Sequence, residues 1–226
     1  WVAACATGEE AYSLAMLMAE QAALMEKPPA FQVFASDIDE EAIHTARSGN
    51  YPASIITDVA PTRLRQYFKR EDDRFQIRKT LRDRILFASH NLLRDPPFSR
   101  LDLISCRNLL IYLNRDMQVR VLQTFHFALR PGGYLFLGSS ESAESVAEYF
   151  VPVDKKSRIY RARTDGRQAH HDNPSSALYG VRLPEISRPK PPGKRTATYA
   201  EMHHRALAQL APPSVVIDRD GNLVHV

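Results

Sequence analysis

The sequence is poor in cysteine and in long hydrophobic runs. Two cysteines occur in 226 residues, without CxxC spacing, which excludes a disulfide-stabilised scaffold and favours a reduced, cytoplasmic protein. The longest apolar stretch, residues 11–25, is interrupted by polar side chains such as Glu20 and is followed by Pro28. It is shorter than the roughly 20 apolar residues of a membrane-spanning helix, so we expect no membrane insertion.

A strong charge of one sign is also missing. The 30 basic and 26 acidic residues give a net charge of +4, and 44% of residues are hydrophobic, which is ordinary globular composition. No basic stripe interleaved with aromatic residues is present, so we expect no nucleic-acid partner. Residues 1–5 contain no secretory leader, and the chain is expected to be a fragment of a longer protein.

Residues 1–163 alternate short apolar runs with amphipathic ones. This alternation predicts an α/β fold with a doubly wound, mostly parallel sheet. The predicted strands are residues 1–5, 31–35, 85–88, 101–106, 134–137 and 157–162, and the predicted helices are residues 9–25, 40–47, 61–70 and 116–129. A turn is expected at residues 131–133, and residues 76–85 fit either a hairpin or a helix.

The loop after the first predicted strand has one glycine, Gly8, followed by Glu9 and Glu10. A dinucleotide-binding loop uses three glycines, and acidic side chains there would repel a pyrophosphate. A nicotinamide-dependent oxidoreductase is therefore disfavoured, and the loop suits a ligand with a cation. The alternative is that both glutamates are first-turn acids stabilised by the helix dipole.

Asp37 follows the second predicted strand, where a carboxylate can accept hydrogen bonds from both hydroxyls of a ribose. A ribose-binding acid beside a loop unsuited to phosphate suggests S-adenosylmethionine, a nucleoside with a sulfonium. The alternative is that Asp37 caps the next helix, a role that Asp39 could equally fill.

Polar residues also follow the third and fourth predicted strands. Asn91 has an amide suited to a purine edge, and Leu92 can cover the purine ring. Arg107 and Asn108 can meet the ligand's carboxylate or backbone, and Tyr112 can orient an incoming acceptor. The alternative is that these are ordinary loop side chains.

Seven motifs together resemble one family. They are ATGEEAYSLA at 6–15, FASDID at 34–39, ARSGNYP at 46–52, HNLL at 90–93, CRNLLIY at 106–112, LRPGGYLFLGSSES at 129–142 and SRIYR at 157–161. In this order and spacing they resemble the catalytic domain of CheR-type chemotaxis receptor methyltransferases over residues 1–163. The resemblance implies a seven-stranded, Rossmann-like methyltransferase sheet and S-adenosylmethionine as cofactor. It also implies methyl transfer to glutamates of methyl-accepting chemoreceptors or similar signalling proteins, giving glutamyl methyl esters.

The resemblance assigns roles to seven residues and none to a metal. Glu10, Asp37, Asn91, Leu92, Arg107 and Asn108 are the expected cofactor-binding residues, and Tyr112 is the expected catalytic residue near the methyl group. Because a glutamate carboxylate is already ionised at neutral pH, no general base is expected.

Three departures from the family bear on these expectations. The family's preceding helical domain is absent from this sequence, Ala4 stands where many relatives have glycine, and residues 76–84 fall where the family has a small β-subdomain. A catalytically silent S-adenosylmethionine-binding module of a sensor fusion is therefore the alternative function.

Residues after the catalytic domain differ in composition. Residues 164–198 contain five prolines with six basic and three acidic residues, which predicts a linker. Residues 199–226 resemble the start of a PAS sensor domain, with a hairpin around residues 218–222. Cys5 and Cys106 are predicted to be buried thiols at the ends of neighbouring strands.

Overall fold

The computed structural model describes residues 1–164 and the strand residues 216–217 and 223–225. In chain order the first region contains β1 (Val2–Ala3), α1 (Glu9–Ala23), β2 (Val33–Asp37), α2 (Glu40–Ser48), β3 (Asn50–Pro52), α3 (Pro61–Tyr67), β4 (Phe68–Glu71), β5 (Arg74–Ile77), α4 (Lys79–Arg82), β6 (Ile85–Ser89), β7 (Leu101–Cys106), α5 (Arg115–Ala128), β8 (Leu129–Leu137), β9 (Phe150–Asp154) and β10 (Ile159–Ala162). Short 3₁₀ turns occupy Ala53–Thr57, Leu110–Tyr112 and Glu144–Val146.

Seven strands form the main sheet in the order β6-β2-β1-β7-β8-β10-β9. The first five strands in this order are parallel, and β10 runs antiparallel to both of its neighbours. The predicted α/β fold with a mostly parallel seven-stranded sheet is confirmed. The order reverses at β1, and in such sheets ligands bind beyond the carboxyl ends of the strands near the reversal.

Hydrophobic side chains form a separate core cluster on each face of the sheet. Val2 belongs to the cluster that contains the buried residues of α1 and α2, whereas Ala3 belongs to the cluster that contains those of α5. Successive residues of a strand point to opposite faces, so β1 supports both layers with only two residues. The helices α1 and α2 therefore cover one face of the sheet, and α5 covers the other.

Some observed element bounds differ from the predictions, each for a local reason. The first strand stops at Ala3 because Ala4 and Ala6 are left-handed, with φ of 56° and 45°. The third predicted helix ends at Tyr67 because the next four residues form β4. The expected turn at residues 131–133 is wrong, since these residues form a bulge within β8.

A three-stranded antiparallel sheet, in the order β3-β5-β4, lies between α2 and β6 in the chain. The segment 76–85 contains parts of both predicted alternatives, because it begins at the end of β5 and continues into α4. The small β-subdomain that the resemblance implies is therefore present. Its β4–β5 hairpin turns at Asp72, which has a φ of 48°.

The strands near the end of the chain form a separate antiparallel pair. Val216 pairs with His225 and Ile217 pairs with Leu223, which confirms the predicted hairpin. The predicted linker at 164–198 and the start of the PAS-like segment lie almost entirely outside the described residues. Within the described part of the chain, no helix has the length and hydrophobicity to cross a membrane.

Candidate functional site

The two glutamates at the start of α1 have different environments. Glu9 is exposed and accepts hydrogen bonds from the Thr7 hydroxyl, at 2.9 Å and 2.7 Å to its two oxygens. Glu10 instead points across to β7, where its Oε1 accepts a hydrogen bond from Ser105 Oγ at 2.5 Å. Its Oε2 lies 3.7 Å from Nη1 of Arg107. The first-turn alternative therefore describes Glu9, whereas Glu10 faces the β7 exit.

Asp37 binds the loop that follows β1. Its Oδ2 accepts a hydrogen bond from the backbone N–H of Ala6 at 2.8 Å, and its Oδ1 accepts one from the N–H of Asp39 at 3.0 Å. Since a left-handed alanine is unfavourable by about 1 to 2 kcal/mol, the hydrogen bond from Ala6 helps to hold a strained loop. The alternative role of Asp37 as a helix cap is wrong, because Asp39 caps α2 through the N–H groups of Glu41 and Ala42.

A cavity of about 230 Å³ opens beside Asp37 at the carboxyl ends of β1, β2 and β6. Its lining consists of Ala4, Ser36, Asp37, Ile38, His90, Asn91, Leu92, Leu93, Leu109 and Leu113. Asn91 is fixed by its own loop, because its N–H donates to Asp95 Oδ2 at 2.7 Å and its Oδ1 accepts from the N–H of Leu93 at 3.0 Å. The cavity thus combines one carboxylate with several leucine side chains, which suits an apolar ring joined to a ribose.

Arg107 lies at the exit of β7 over an aromatic ring. Its guanidinium carbon is 4.9 Å from the centroid of Phe136, a cation–π distance. Its Nε is buried and has no hydrogen-bond partner among the described residues, and its closest acidic neighbour is Glu10. The Arg107 side chain as a whole is 38% exposed, so its accessible part can meet the carboxylate of a ligand.

The loop after β7 also holds Asn108 and Tyr112. Asn108 is left-handed, with a φ of 61°, and its N–H donates to Glu141 Oε2 at 3.0 Å. Tyr112 ends the 3₁₀ turn Leu110–Tyr112 and is 80% exposed. It lies outside the lining of the cavity, and its side chain is open to solvent.

The structure brings together only some of the predicted site residues. Asp37, Asn91 and Leu92 line one cavity, whereas Glu10 and Arg107 form a second group beside β7. Asn108 is oriented by a residue from the β8 exit. The predicted site is therefore two adjoining groups rather than a single ring of side chains around one ligand.

Sequence reasoning missed two residues that make hydrogen bonds at the carboxyl end of β7. Ser105 is fully buried and orients Glu10, and Glu141 is 3% exposed and accepts three backbone hydrogen bonds. A serine in the apolar run LDLISC and an acid in the motif GSSES were visible signals. Neither sequence feature indicates which groups the two side chains contact in the folded chain.

The two cysteines are confirmed as free, buried thiols. Burial and the neighbouring Asp37 carboxylate raise the pKa of Cys5 to about 12. Burial, with Glu141 next, raises the pKa of Cys106 well above its usual value. Both therefore stay protonated at neutral pH, and neither is a nucleophile for this site.

These features fit S-adenosylmethionine. The cavity has a carboxylate, Asp37, beside apolar side chains, and Glu10 and Arg107 offer one negative and one positive group for the ammonium and carboxylate of the ligand. The doubly wound sheet with this site at its carboxyl edge defines the class of S-adenosylmethionine-dependent methyltransferases.

Comparison with known proteins identifies the family within this class of methyltransferases. Residues 1–159 match the family described as CheR methyltransferase, SAM binding domain, so the chain belongs to this family, and S-adenosylmethionine is its cofactor. The chain is 36% identical over 227 residues to an uncharacterised 104.1 kDa protein in the hypE 3′ region of Rhodobacter capsulatus, covering 100% of this chain and 23% of that protein. It is 38% identical over 159 residues to the chemotaxis protein methyltransferase of Salmonella typhimurium, covering 66% of this chain and 54% of that protein.

The corresponding enzyme of Escherichia coli is 38% identical over 160 residues, covering 67% of this chain and 54% of that enzyme. The chain thus spans between about a quarter and just over half of the length of these relatives.

Proposed function

We propose that this chain is the catalytic domain of a cytoplasmic protein-glutamate O-methyltransferase that acts on a methyl-accepting chemoreceptor or a similar signalling protein. One observation supports this above all: Asp37 lines a cavity at the carboxyl ends of β1, β2 and β6, and Glu10 and Arg107 form an ion pair at the carboxyl end of the neighbouring strand β7. This arrangement, in a chain of the CheR family, supplies a place for each polar part of S-adenosylmethionine. The names of the chemotaxis relatives support the proposed acceptor.

The proposed roles follow the two groups of side chains. Asp37 binds the ribose hydroxyls, while Asn91 and Leu92 bind the edge and face of the adenine. Glu10 and Arg107 bind the ammonium and carboxylate of the amino-acid part.

Two residues of the loop after β7 complete the proposed site. Asn108 lies beside the amino-acid part of the cofactor. Tyr112 is exposed on the acceptor side, where its hydroxyl can donate a hydrogen bond to a glutamate carboxylate.

The proposed reaction needs positioning rather than proton transfer. S-adenosylmethionine supplies a methyl group made electrophilic by the positive sulfur. An oxygen of the acceptor carboxylate bonds to the methyl carbon as the carbon–sulfur bond breaks, and the electron pair of that bond stays on sulfur. Because the acceptor is already ionised, the task of the chain is to align the two atoms at about 3 to 3.5 Å and to exclude water.

We also propose the domain division expected from composition. Residues 1–163 form the methyltransferase domain, residues 164–198 are a linker, and residues 199–226 begin a PAS-like domain. The Rhodobacter relative supports a multidomain arrangement, because its similarity extends over the whole chain while the chain spans 23% of that protein.

The second candidate function is a catalytically silent S-adenosylmethionine-binding module within a larger sensor protein, and the greater length of the Rhodobacter relative is compatible with both candidates. The two candidates are separated by incubating the chain with methyl-labelled S-adenosylmethionine and the cytoplasmic fragment of a chemoreceptor. Base-labile label on the receptor, lost when its acceptor glutamates are changed to glutamine, is expected from the enzyme. Binding of S-adenosylhomocysteine without any ester would favour the silent module.

Tyr112→Phe should slow methyl transfer about 10-fold without changing cofactor affinity. The variant removes one exposed hydrogen bond to a charged group, which contributes about 1.5 kcal/mol at the lower end of the usual range, and Tyr112 lies outside the cavity. The measurements are kcat for receptor methylation and Kd for S-adenosylhomocysteine. Tyr134→Phe is the matched control, because Tyr134 is 43% exposed on β8 and has no proposed role. Unchanged kcat in Tyr112→Phe would remove this residue from the mechanism.

A further inference from the structure

A buried carboxylate joins the exits of two strands. Glu141 is 3% exposed, and its oxygens accept three backbone hydrogen bonds. Oε2 accepts from Gly138 at 2.7 Å and from Asn108 at 3.0 Å, and Oε1 accepts from Leu110 at 2.7 Å. Within the described part of the chain no basic side chain pairs with it, so these N–H groups compensate for the burial of its charge.

The three donors come from two different loops. Gly138 directly follows β8, whereas Asn108 and Leu110 belong to the loop after β7. Asn108 has a φ of 61°, a conformation that persists only where surrounding contacts hold it. Leu110 begins the 3₁₀ turn that ends at Tyr112. Glu141 therefore fixes the shape of the loop that follows Arg107 and ends at Tyr112.

The nucleoside cavity depends on other elements. Among its polar residues, Asp37 ends β2 and Asn91 follows β6, and their hydrogen bonds are made within those loops and to the β1 loop. Only Leu109 and Leu113 connect the loop after β7 to the cavity lining. Loss of Glu141 should therefore disturb the loop after β7 much more than the nucleoside cavity.

We propose that Glu141 is a positioning residue that orients the loop after β7 toward the amino-acid part of S-adenosylmethionine and toward the acceptor. It acts through the backbone of Asn108 and Leu110 and touches neither cofactor nor acceptor. The proposal rests on the proposed function, because it takes S-adenosylmethionine as the ligand of the two groups of side chains.

Two ligands distinguish this role from general structural support. S-adenosylhomocysteine has both the nucleoside and the amino-acid part, whereas 5′-methylthioadenosine keeps the nucleoside and sulfur but lacks the amino-acid part. In Glu141→Gln, an amide N–H₂ replaces one acceptor oxygen and faces backbone donors. We expect affinity for S-adenosylhomocysteine to fall about 10- to 30-fold, as for the loss of a hydrogen bond to a charged group.

In the same variant, affinity for 5′-methylthioadenosine should change by less than about 3-fold, because the hydrogen bonds of Asp37 and Asn91 do not involve Glu141 and additive effects are expected for residues without shared partners. The measurement is isothermal titration of the full chain with each ligand. Glu141→Asp, which keeps the charge but shortens the side chain, should restore part of the affinity for S-adenosylhomocysteine. This variant also provides the test if Glu141→Gln does not fold.

A further variant identifies the group that is positioned. Glu141→Gln should lower the affinity for S-adenosylhomocysteine by clearly less in a chain that already carries Arg107→Ala than in the unchanged chain. The reason is that Glu141 and Arg107 act on the same contact with the ligand. Equal losses for both ligands, or additive losses in the double variant, would overturn the positioning role. Failure of the unchanged chain to bind either ligand would instead refute the proposed function.

Discussion

Asp37→Asn is expected to weaken S-adenosylhomocysteine binding about 100-fold, since hydrogen bonds to a charged group contribute about 1.5 to 3 kcal/mol. The variant replaces a carboxylate that can accept from both ribose hydroxyls with an amide that accepts at one atom only. It also weakens the hydrogen bond from Ala6, which lies at 2.8 Å from Oδ2, so the left-handed loop after β1 loses support. Isothermal titration with S-adenosylhomocysteine measures the loss, and thermal unfolding confirms that the variant is folded.

Asp39→Asn is the matched control for this prediction. It removes one negative charge two residues away, and asparagine caps helices about as well as aspartate, so α2 should be retained. We expect less than about a 3-fold change in affinity, since surface charges interact weakly. Equal losses in the two variants would indicate that general electrostatic attraction, and not a specific contact with Asp37, binds the ligand.

Gly138→Ala is expected to lower methyl transfer about 100-fold, because displacing a positioned group by about 1 Å can have an effect of that size. A Cβ at Gly138 would lie 2.6 Å from Oδ1 of Asn108 and 2.7 Å from Oε2 of Glu141. Both atoms must move, and the contacts between the β7 and β8 exits move with them. Overpacking at such a site is unfavourable by about 1 to 3 kcal/mol, so the free energy of unfolding should also fall.

Gly132→Ala separates the loss of activity from the loss of stability. Gly132 has a φ of 78°, and no heavy atom lies within 4 Å of a Cβ placed there. The variant should be destabilised by about 1 kcal/mol through its backbone conformation and should keep full activity. Chemical denaturation and receptor methylation measure the two effects. Full activity in Gly138→Ala would show that the junction between the two strand exits is not needed for catalysis.

The sequence was a good guide to elements defined by local patterns. The bounds of β7 agree with the prediction at both ends, and α1 begins at Glu9 as expected. The parallel sheet and its confirmed topology follow from the alternation of strands and helices. Asp37 was correctly placed at the end of the second strand, because it follows the apolar run 31–35 after a single residue, and it is the last residue of β2.

The remaining features depend on contacts between distant parts of the chain. Glu141 lies 33 residues after Asn108, and nothing in the local sequence predicts the hydrogen bond that joins them. The bulge in β8 was predicted as a turn because proline and glycine are typical of turns, and pairing with β7 overrides that preference. The separate roles of Glu9 and Glu10 also required the position of Ser105, 95 residues after Glu10.

The small three-stranded sheet enters and leaves the main fold at neighbouring points. The chain departs after β2 and α2 and returns at β6, and β2 and β6 are adjacent and in register from Val33 with Ile85 to Asp37 with Ser89. The excursion is nevertheless tied to the main fold, because the Tyr51 hydroxyl in β3 donates a hydrogen bond to the backbone oxygen of Thr7 at 2.8 Å. Tyr51 also shares a buried core cluster with residues of β1, β2 and β6. Substitutions on the exposed side of the small sheet can therefore vary widely, whereas a change at Tyr51 would reach the loop that follows β1.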